Sequence, residues 1–556
     1  MSPSQHASTF ESKMEAITSY LLRYRFFLLS LLLVVLMVSH TLNGQWSGDF
    51  WEHSAAVREL ATHPFSPHHP QLLLRVPHAF YSPYTLGVAC VSRLTGLGPV
   101  ESLAIAGIFN LLLFLFALRL FVSLLFPQYG EATAFYTLLF TLVLWGGAAW
   151  GYSGFFHLRV LGYVLPYPST FATAVVLIAL SMYILLVRSG NRLWLIPILV
   201  ASLLVILTHP LTFMFMAAGL VSLSFGLRRL RLLDYMLLIG IFMLTFLIAA
   251  IWPYFPFVKL ITSESAVYHE SNRAMYVGVI GRIFPALIGV PLLLLRIKSN
   301  RRDALVFMFA TLCLIYLYGV VSNRFSYGRV ISYIVLILHI SIAAGVSHIE
   351  SKLAFRHLPP SLLRFAYFCL ILVITLAFSF QSMIQPTLPY FTPGRPNTYH
   401  QYLFLSDLTP QYDVVLSDID TSWVVPTFGG KVIACQHALA FVPDHDTRRK
   451  DVSDFFRDAT ALQERLEIIR KYQVNFLLID KARIAMWRTM VDSFQPFGRV
   501  VFDNDQFVLI HLHASMGKKK PSFPGCDSLG LTVYLSSCII SKIVSVSFVG
   551  NMITYR

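Results

Sequence analysis

Long apolar stretches separated by short polar loops run through residues 21–383. Each stretch approaches the roughly 20 residues that an α-helix needs to cross the hydrocarbon of a bilayer. Only helices and closed barrels satisfy their backbone hydrogen bonds there, and these stretches are too long for barrel strands. We therefore predict a polytopic α-helical membrane protein. About eleven spans are expected, at residues 21–42, 100–126, 132–150, 167–187, 193–208, 211–225, 232–252, 277–295, 304–321, 330–347 and 365–383.

One further stretch, residues 84–97, is moderately apolar but contains Arg93 and follows Pro83. If it crossed the membrane, every later loop would change sides. Its shortness favours a re-entrant or interfacial helix over a span.

Residues 399–513 have the pattern of a small α/β domain that lies outside the bilayer, joined to the last span by a linker at 385–398. The pattern predicts strands at 412–417, 431–434 and 474–480, helices at 452–472 and 481–493, and a hairpin at 499–512. The tail at 514–556 fits neither domain, and we assign it no role.

The chain is 56% hydrophobic and only 13% charged, with a formal net charge of +15. Such a charge can indicate nucleic-acid binding, but these basic residues occur in short loops between spans, where they signal topology. If segment 1–20 is cytoplasmic, four basic loops lie on the cytoplasmic side of the plasma (inner) membrane. The C-terminal domain then lies outside the cytoplasm. These loops contain Arg188 and Arg192; Arg228, Arg229 and Arg231; Arg296, Lys298, Arg301 and Arg302; and Lys352, Arg356 and Arg364.

The predicted inner loops are short and basic, whereas the unusual polar residues collect on the outer face. The chain lacks a GxxxxGK[ST] loop, and its inner loops are too small to hold a nucleotide. The pattern therefore argues against a cytosolic nucleotide-sugar or ATP as the direct donor.

Neither cysteines nor histidines have an established metal-ligand spacing. The six cysteines lack a CxxC pair, so we interpret them as free thiols. His63, His68 and His69 form HxxxxHH, which is not an established zinc spacing. We predict no metal or other cofactor, although a divalent metal stays possible.

The first predicted outer loop, residues 43–83, opens with Gly48-Asp49-Phe50-Trp51-Glu52-His53. Apolar and polar residues then alternate as in an amphipathic helix at the membrane surface, with Asp49 at its start. An acidic residue there is either a helix cap or a catalytic carboxylate.

An acidic residue after span one, a surface helix, a helical bundle and an outer α/β domain together resemble the GT-C superfamily of integral-membrane glycosyltransferases. That superfamily includes protein mannosyltransferases and the aminoarabinose transferases of lipid A. The resemblance implies a polyprenyl-phosphate-linked sugar donor, a lipid, envelope-glycan or protein acceptor, and transfer on the outer face with inversion. It also implies that Asp49 is the general base.

The resemblance is incomplete at the second acid, which in several members is adjacent to the first or two residues away. Here Glu52 is the next acid. Asp49 and Glu52 share one helix face, so each carboxylate can raise the pKa of the other. His53 is placed to hydrogen-bond Asp49 or to bind substrate.

A lipid phosphate requires cationic partners, and guanidinium groups bind phosphate in a bidentate manner. Arg324 and Arg329 flank the outer end of a predicted span and are the main candidates for this role; otherwise they contact ordinary lipid headgroups. Further candidates are Arg159, Lys259 and Arg273. Candidates for lining the substrate cavity are Trp51, His157, His209 and Tyr327.

Two other functions stay open. A transporter or lipid flippase would place ionisable or helix-breaking residues near the bilayer midplane, often in paired repeats. The chain shows no such repeat, and the middle regions of the predicted spans are nearly free of charge. A non-catalytic envelope assembly subunit would use residues 399–513 as its binding module and would tolerate loss of the Asp49 carboxylate.

Overall fold

A computed structural model describes residues 3–227, 232–262, 271–353, 360–391, 399–437 and 441–513. Arg228, Arg229, Arg231, Arg356 and the tail 514–556 lie outside the described residues, as does the second half of the predicted linker, residues 392–398. Predictions that involve these residues stay predictions.

Helices form most of the described chain. Residues before 399 contain α1 (Pro3–Leu42), α2 (Phe50–Thr62), α3 (Pro83–Thr95), α4 (Pro99–Leu125), α5 (Gly130–Val143), α6 (Leu158–Val164), α7 (Pro168–Ser189), α8 (Leu195–Thr208), α9 (Pro210–Gly226), α10 (Leu232–Ala250), α11 (Phe257–Thr262), α12 (Val279–Ile283), α13 (Gly289–Ser299), α14 (Ala304–Val321), α15 (Ile331–Lys352) and α16 (Pro360–Ser379). The remainder contains α17 (Phe404–Leu408), β1 (Val414–Leu416), α18 (Val425–Phe428), β2 (Lys431–Val432), α19 (His445–Phe456), α20 (Leu462–Tyr472), β3 (Phe476–Asp480), α21 (Trp487–Phe494), β4 (Gly498–Asp503) and β5 (Phe507–Leu512).

Within the described residues, 8 helical stretches are long and apolar enough to cross a membrane. They are Lys13–Leu42, Pro99–Leu125, Pro168–Ser189, Leu232–Ala250, Val279–Ser299, Ala304–Val321, Phe325–Lys352 and Pro360–Pro389. The shorter apolar helices Gly130–Val143, Arg192–Thr208 and Pro210–Gly226 coincide with the remaining predicted spans. The predicted class, a polytopic helical membrane protein, is confirmed.

The predicted span 132–150 is too long at its C-terminal end. The helix ends at Val143, and the backbone N–H of Gly146 donates to the carbonyl of Arg282 at 2.9 Å. A side chain at Gly146 would collide with the backbone of Gly281. The backbone at Gly146 therefore packs directly against the backbone at Gly281 and Arg282, in the space that a longer helix would occupy.

Most of the predicted segment 84–97 lies in the helix α3 (Pro83–Thr95), which has 13 residues. Ser82 accepts a hydrogen bond from the Thr85 N–H at its start, and Gly96 ends it with φ 73°. At 1.5 Å per residue, α3 is about 20 Å long, which is less than the roughly 30 Å of bilayer hydrocarbon.

The C-terminal residues form the predicted small α/β domain, hereafter the cap (residues 399–513). Its sheet has the order β2-β1-β3-β5-β4. The first three strands in that order are parallel, and β5 pairs antiparallel with β3 and β4. The predicted hairpin is present, but the single predicted helix at 452–472 is wrong. Two helices, α19 and α20, replace it, because Arg457 leaves the helical conformation with ψ 133°.

Alternate residues of the central strands face opposite sides of the sheet, as the pleat requires. Val415, Leu478 and Leu509 pack in one core with residues of α2, α3 and α4. Val414, Leu477 and Ile510 pack in another core with residues of α19, α20 and α21. The cap sheet therefore has no free face: one side is covered by its own helices and the other by the bundle.

A buried ion pair also joins the cap to α2. Lys431 Nζ lies 2.7 Å from Glu59 Oε2, with side chains 3% and 0% exposed. Lys431 also donates to the carbonyls of His69 and Pro70, at 3.0 and 2.8 Å. Gln71 accepts a backbone hydrogen bond from Val432, so the loop after α2 lies along the β2 edge of the sheet.

Candidate functional site

Asp49 precedes the first residue of α2, as the sequence predicts. Gly48, with φ 66°, turns the chain into the helix, and the Asp49 carbonyl accepts the His53 N–H at 3.1 Å. The Asp49 carboxylate makes no capping hydrogen bond, and its side chain is 42% exposed. The purely structural interpretation of Asp49 as a side-chain cap therefore does not fit the geometry.

Glu52 lies one turn along α2 and meets a histidine from the cap. Its Oε1 atom is 2.8 Å from His437 Nδ1, and the same nitrogen is 3.7 Å from Asp49 Oδ1. The Glu52 side chain is 1% exposed, and Oε2 has no hydrogen-bond partner among the described residues. One imidazole ring thus bridges a buried carboxylate and a half-exposed one.

The Glu52–His437 pair is set up to hold a proton. Burial raises the pKa of Glu52 more strongly than the nearby His437 lowers it. Burial alone would lower the pKa of His437, but the hydrogen bond to Glu52 and the charges of Glu52 and Asp49 outweigh it and raise that pKa. Both directions favour a proton on the pair. Of the two carboxylates, Asp49 is the one that faces solvent.

Asp49, Glu52 and His437 are also close enough to share a divalent cation. Each offers one ligand atom, and the three atoms lie within 4.8 Å of one another. The donor set, two carboxylates and one imidazole, suits several divalent metals.

His63, His68 and His69 belong elsewhere, in the contact between α2 and the cap: His63 Nδ1 is 2.6 Å from the Tyr412 hydroxyl.

A cavity of about 500 Å³ opens between the bundle and the cap. Asp49, Tyr152, Ser271 and Arg329 line it from the bundle side. From the cap side it is lined by Gln436, His437, His445, Asp446 and Arg449. The structure thus brings Asp49 and Arg329, a predicted carboxylate and a predicted phosphate-binding residue, into one space.

Arg329 is held in place by the bundle. Its Nε donates to Asn272 Oδ1 at 3.1 Å and its Nη1 donates to Ser153 Oγ at 3.0 Å. The guanidinium carbon lies 5.8 Å from the centroid of the Tyr152 ring. These contacts fix the orientation of the cation toward the cavity before any ligand binds.

The other predicted phosphate-binding residues do not line this cavity within the described chain. Arg324 and Arg273 are exposed. Arg159 donates to the Gly147 carbonyl at 2.8 Å, and Lys259 lies 5.6 Å from the centroid of the Phe441 ring. Among the described residues, these four cations are therefore not part of the cavity that contains Asp49.

His53 does not hydrogen-bond the Asp49 side chain. Its ring stacks on Phe80, with centroids 4.3 Å apart, and lies 5.2 Å from the ring of Tyr167. Burial lowers the pKa of His53 to about 4. His53 is therefore a neutral packing residue that supports α2.

The predicted cavity residues also have structural contacts. Trp51 is 5% exposed and packs near Phe428 of the cap. His157 is buried beside the Trp150 carbonyl at 2.8 Å. His209 Nδ1 accepts the Thr212 N–H at the start of α9, and Tyr327 meets Tyr318 edge to face. None of the four lines the cavity among the described residues.

Sequence reasoning missed the cap residues of the site, among them His437 and Arg449, because of their distance along the chain. These two residues follow Asp49 by at least 388 residues and Arg329 by at least 108. One signal was available. His437 follows β2, and ligands of open sheets bind beyond the carboxyl ends of parallel strands. The position of His437 after a parallel strand is therefore itself a signal of a binding site.

Comparison with known proteins shows which solved structures share this architecture. No protein-family model matches the chain, and no curated protein sequence matches it. Among solved structures, ArnT from Cupriavidus metallidurans in the apo state aligns over 91% of this chain and 100% of its own, with TM-score 0.51 and 14% identity. The same protein bound to undecaprenyl phosphate aligns over 89% and 100%, with TM-score 0.52 and 14% identity. Arabinofuranosyltransferase AftD from mycobacteria aligns over 89% of this chain and 40% of its own, with TM-score 0.54 and 14% identity.

The chain has the GT-C fold. The alignments with ArnT cover the whole of that protein, so the likeness extends well beyond a few membrane helices. In the GT-C fold of this chain, the cavity with Asp49 and Arg329 lies where the bundle meets the cap.

Proposed function

We propose that this GT-C protein is a membrane glycosyltransferase that transfers a sugar from a polyprenyl-phosphate donor to a lipid, envelope-glycan or protein acceptor. The observation that carries the proposal is the shared cavity: a half-exposed carboxylate, Asp49, and a fixed guanidinium, Arg329, line the same space. A sugar transfer from a lipid phosphate requires these two groups, one to take a proton and one to meet the leaving charge.

In the proposed reaction, Asp49 accepts the proton of an acceptor hydroxyl as its oxygen attacks the anomeric carbon of the sugar. The new C–O bond forms while the bond from that carbon to the phosphate oxygen breaks. The polyprenyl phosphate leaves with the electron pair, and direct displacement inverts the anomeric carbon. Solvent exposure suits Asp49 to this role, because the proton that it accepts can pass to water afterwards.

Arg329 is proposed to bind the donor phosphate. Guanidinium groups pair with phosphate through charge-assisted hydrogen bonds, and preorganised donors stabilise charge that develops in the transition state. Asn272 and Ser153 already hold this side chain, so little reorganisation is needed. ArnT binds undecaprenyl phosphate, which supports a carrier lipid of this class.

The proposed orientation places the cap and the cavity outside the cytoplasm, in the plasma (inner) membrane. Basic residues of the predicted inner loops support this orientation. Under it, the sugar is transferred on the outer face, where a lipid-linked donor replaces a cytosolic nucleotide-sugar.

The proposal is tested by mass spectrometry of envelope lipids, glycans and glycoproteins from a host that lacks the protein. The host is complemented with wild type, Asp49→Asn or Asp505→Asn at matched membrane abundance. Asp505 is an exposed acid in the turn between β4 and β5, so its variant controls for loss of one charge. We expect wild type and Asp505→Asn to restore one sugar addition, and Asp49→Asn to restore at least about 100-fold less.

Full restoration by Asp49→Asn would remove the base assignment. Transport of a lipid or sugar, or an assembly role, would then become the better explanation. The same experiment identifies the sugar and the acceptor, since both appear in the mass of the missing product.

A further inference from the structure

The cap side of the cavity carries its own cationic group. The helix α19 begins at His445 and has 12 residues. His445 and Asp446 in its first turn, and Arg449 one turn later, all line the cavity. Residues four apart lie on one helix face, so His445 and Arg449 are presented together, and the N-terminal end of α19 is directed at the same space.

Arg449 is fixed on one side and available on the other. Its Nη1 atom donates to the carbonyls of Gln436 and Cys435, which ties α19 to the segment that carries His437. Within the described residues, no carboxylate forms an ion pair with Arg449. A guanidinium held by two carbonyls but without a counter-ion is well placed to bind an anion.

His445 provides a second, independent indication of a ligand. The residue is 5% exposed, yet its Nε2 atom has no hydrogen-bond partner among the described residues. Buried polar atoms normally have a partner, and an unpartnered one on a residue that lines a cavity points to a polar ligand there. The backbone N–H groups at the start of α19 add partial positive charge beside it.

We propose that Arg449, His445 and the start of α19 form an anion subsite that binds a phosphate or carboxylate group of the acceptor. The inference rests on the proposed function and deepens it: the acceptor is an anionic molecule. Arg329, which belongs to the bundle, serves the donor phosphate, whereas the cap subsite is separate from it and faces the same carboxylate, Asp49. Asp446, the acid on this wall, disfavours a second negative charge and is suited to hydroxyl groups beside the anion.

A phosphate group at this site can come from two sources, a water-soluble or envelope acceptor and the lipid donor itself. The test measures both, using the full chain in phosphatidylcholine nanodiscs. Inorganic phosphate is the probe for the cap subsite, observed by ³¹P line broadening, and undecaprenyl phosphate is the probe for the donor site. The variants are Arg449→Gln, Arg449→Lys, Arg329→Gln and Lys450→Gln. Lys450 is the exposed neighbour of Arg449 and provides the matched loss of charge.

We expect Arg449→Gln to weaken phosphate binding about tenfold and Arg449→Lys to retain part of it, because a charge-assisted hydrogen bond is lost in the first and partly kept in the second. Lys450→Gln should bind phosphate like wild type. Undecaprenyl phosphate should bind Arg449→Gln within about twofold of wild type, whereas Arg329→Gln should lose about tenfold.

Three results would overturn the subsite: phosphate binding equal in wild type and Arg449→Gln, equal loss in Lys450→Gln, or displacement of phosphate by undecaprenyl phosphate. The last result would make Arg449 part of the donor site. If Arg449→Gln melts at a lower temperature than wild type, His445→Ala is measured in its place. This variant removes the unpartnered nitrogen and leaves the Arg449 contacts intact. These binding measurements need no turnover, so they can fail while the Asp49 test succeeds, and the reverse.

Discussion

At the scale of single residues, the candidate site combines a position that the sequence reveals with a position that it does not. Asp49 is recognisable because an acid just after a long apolar run needs a reason to be there. His437 contacts Glu52 only after the cap has docked, and its local sequence, Cys435-Gln436-His437, carries no motif. A contact that depends on tertiary docking is beyond local pattern reasoning.

The Glu52–His437 pair predicts how stability depends on pH. The pKa of His437 is raised above its ordinary value of 6.5, so its contribution is fully present below about pH 6.5 and is lost as pH rises through the folded-state pKa. Glu52 has the same sign, because its pKa is also raised. We expect the stability difference between wild type and His437→Gln to shrink as pH rises from 6 to 9.

The prediction concerns the difference in stability between wild type and His437→Gln, and not the stability of either protein alone. Buried histidines with a lowered pKa, such as His53 and His78, change stability in the opposite direction as pH falls. They are common to both proteins and cancel. Thermal unfolding of the purified full chain at several pH values measures the difference. A gap that stays constant from pH 6 to 9 would show that His437 holds no titrating proton.

At the scale of secondary-structure elements, Glu59 attaches α2 to the cap. Three cap residues contact its carboxylate: Lys431 at 2.7 Å, and Gln411 and Tyr412 at 3.2 Å. The sequence showed Glu59 only as a polar position of an amphipathic helix. Its partner Lys431 lies in a buried strand, where a lysine is rare and pairing could have been suspected.

Removing one partner of this ion pair should be costly, because the other charge stays buried. We expect Lys431→Met to destabilise the chain by about 3–5 kcal/mol. The double variant Glu59→Gln/Lys431→Met should recover part of that loss, since no unpaired charge remains. Thermal unfolding of the three proteins beside Lys450→Met, an exposed control, provides the comparison; equal melting of Lys431→Met and Lys450→Met would contradict a structural role for the pair.

The helix α3 decides the topology of everything that follows it. Because α3 is too short to span, Ser66 before it and Thr95 at its end should lie on the same side of the membrane, and Ser299 after α13 on the other. Cysteine substitutions at these three exposed positions, in a chain whose six native cysteines are replaced, test this arrangement. A membrane-impermeant maleimide added to intact cells should label the first two and not the third. Labelling at Ser66 without Thr95 would mean that α3 crosses.

At the scale of the whole molecule, hydrophobic periodicity was enough to predict the class of fold, because membrane spans need long apolar runs wherever they occur. The same periodicity could not show that the first outer loop (residues 43–83) and the cap share one hydrophobic core. Phe50, Leu60 and Leu72 of the loop segment pack in the same cluster as Val425 and Phe507 of the cap. Both parts have ordinary amphipathic patterns, and only docking shows which faces meet.

This shared core predicts that the cap is not an independent domain. One face of its sheet, with Val415, Leu478 and Leu509, is covered by the bundle, so a fragment of residues 399–513 would expose that apolar face to water. Exposed apolar patches of this kind lead to aggregation. We expect the isolated fragment to be insoluble or to bind a hydrophobic dye, and a chain ending at residue 398 to accumulate poorly in membranes.

Co-expression separates docking from a requirement for covalent linkage. If residues 1–398 and 399–513 are produced together as two chains, the fragment should become soluble at the membrane and co-purify with the bundle, because the Glu59–Lys431 pair and the shared core form between chains as well as within one. The charge reversal Lys431→Glu in the fragment should abolish co-purification, and the exposed Lys450→Glu should not. A monomeric, cooperatively folded fragment without the bundle would instead mean that the cap is a separate module, and that His437 reaches Glu52 only when two folded bodies meet.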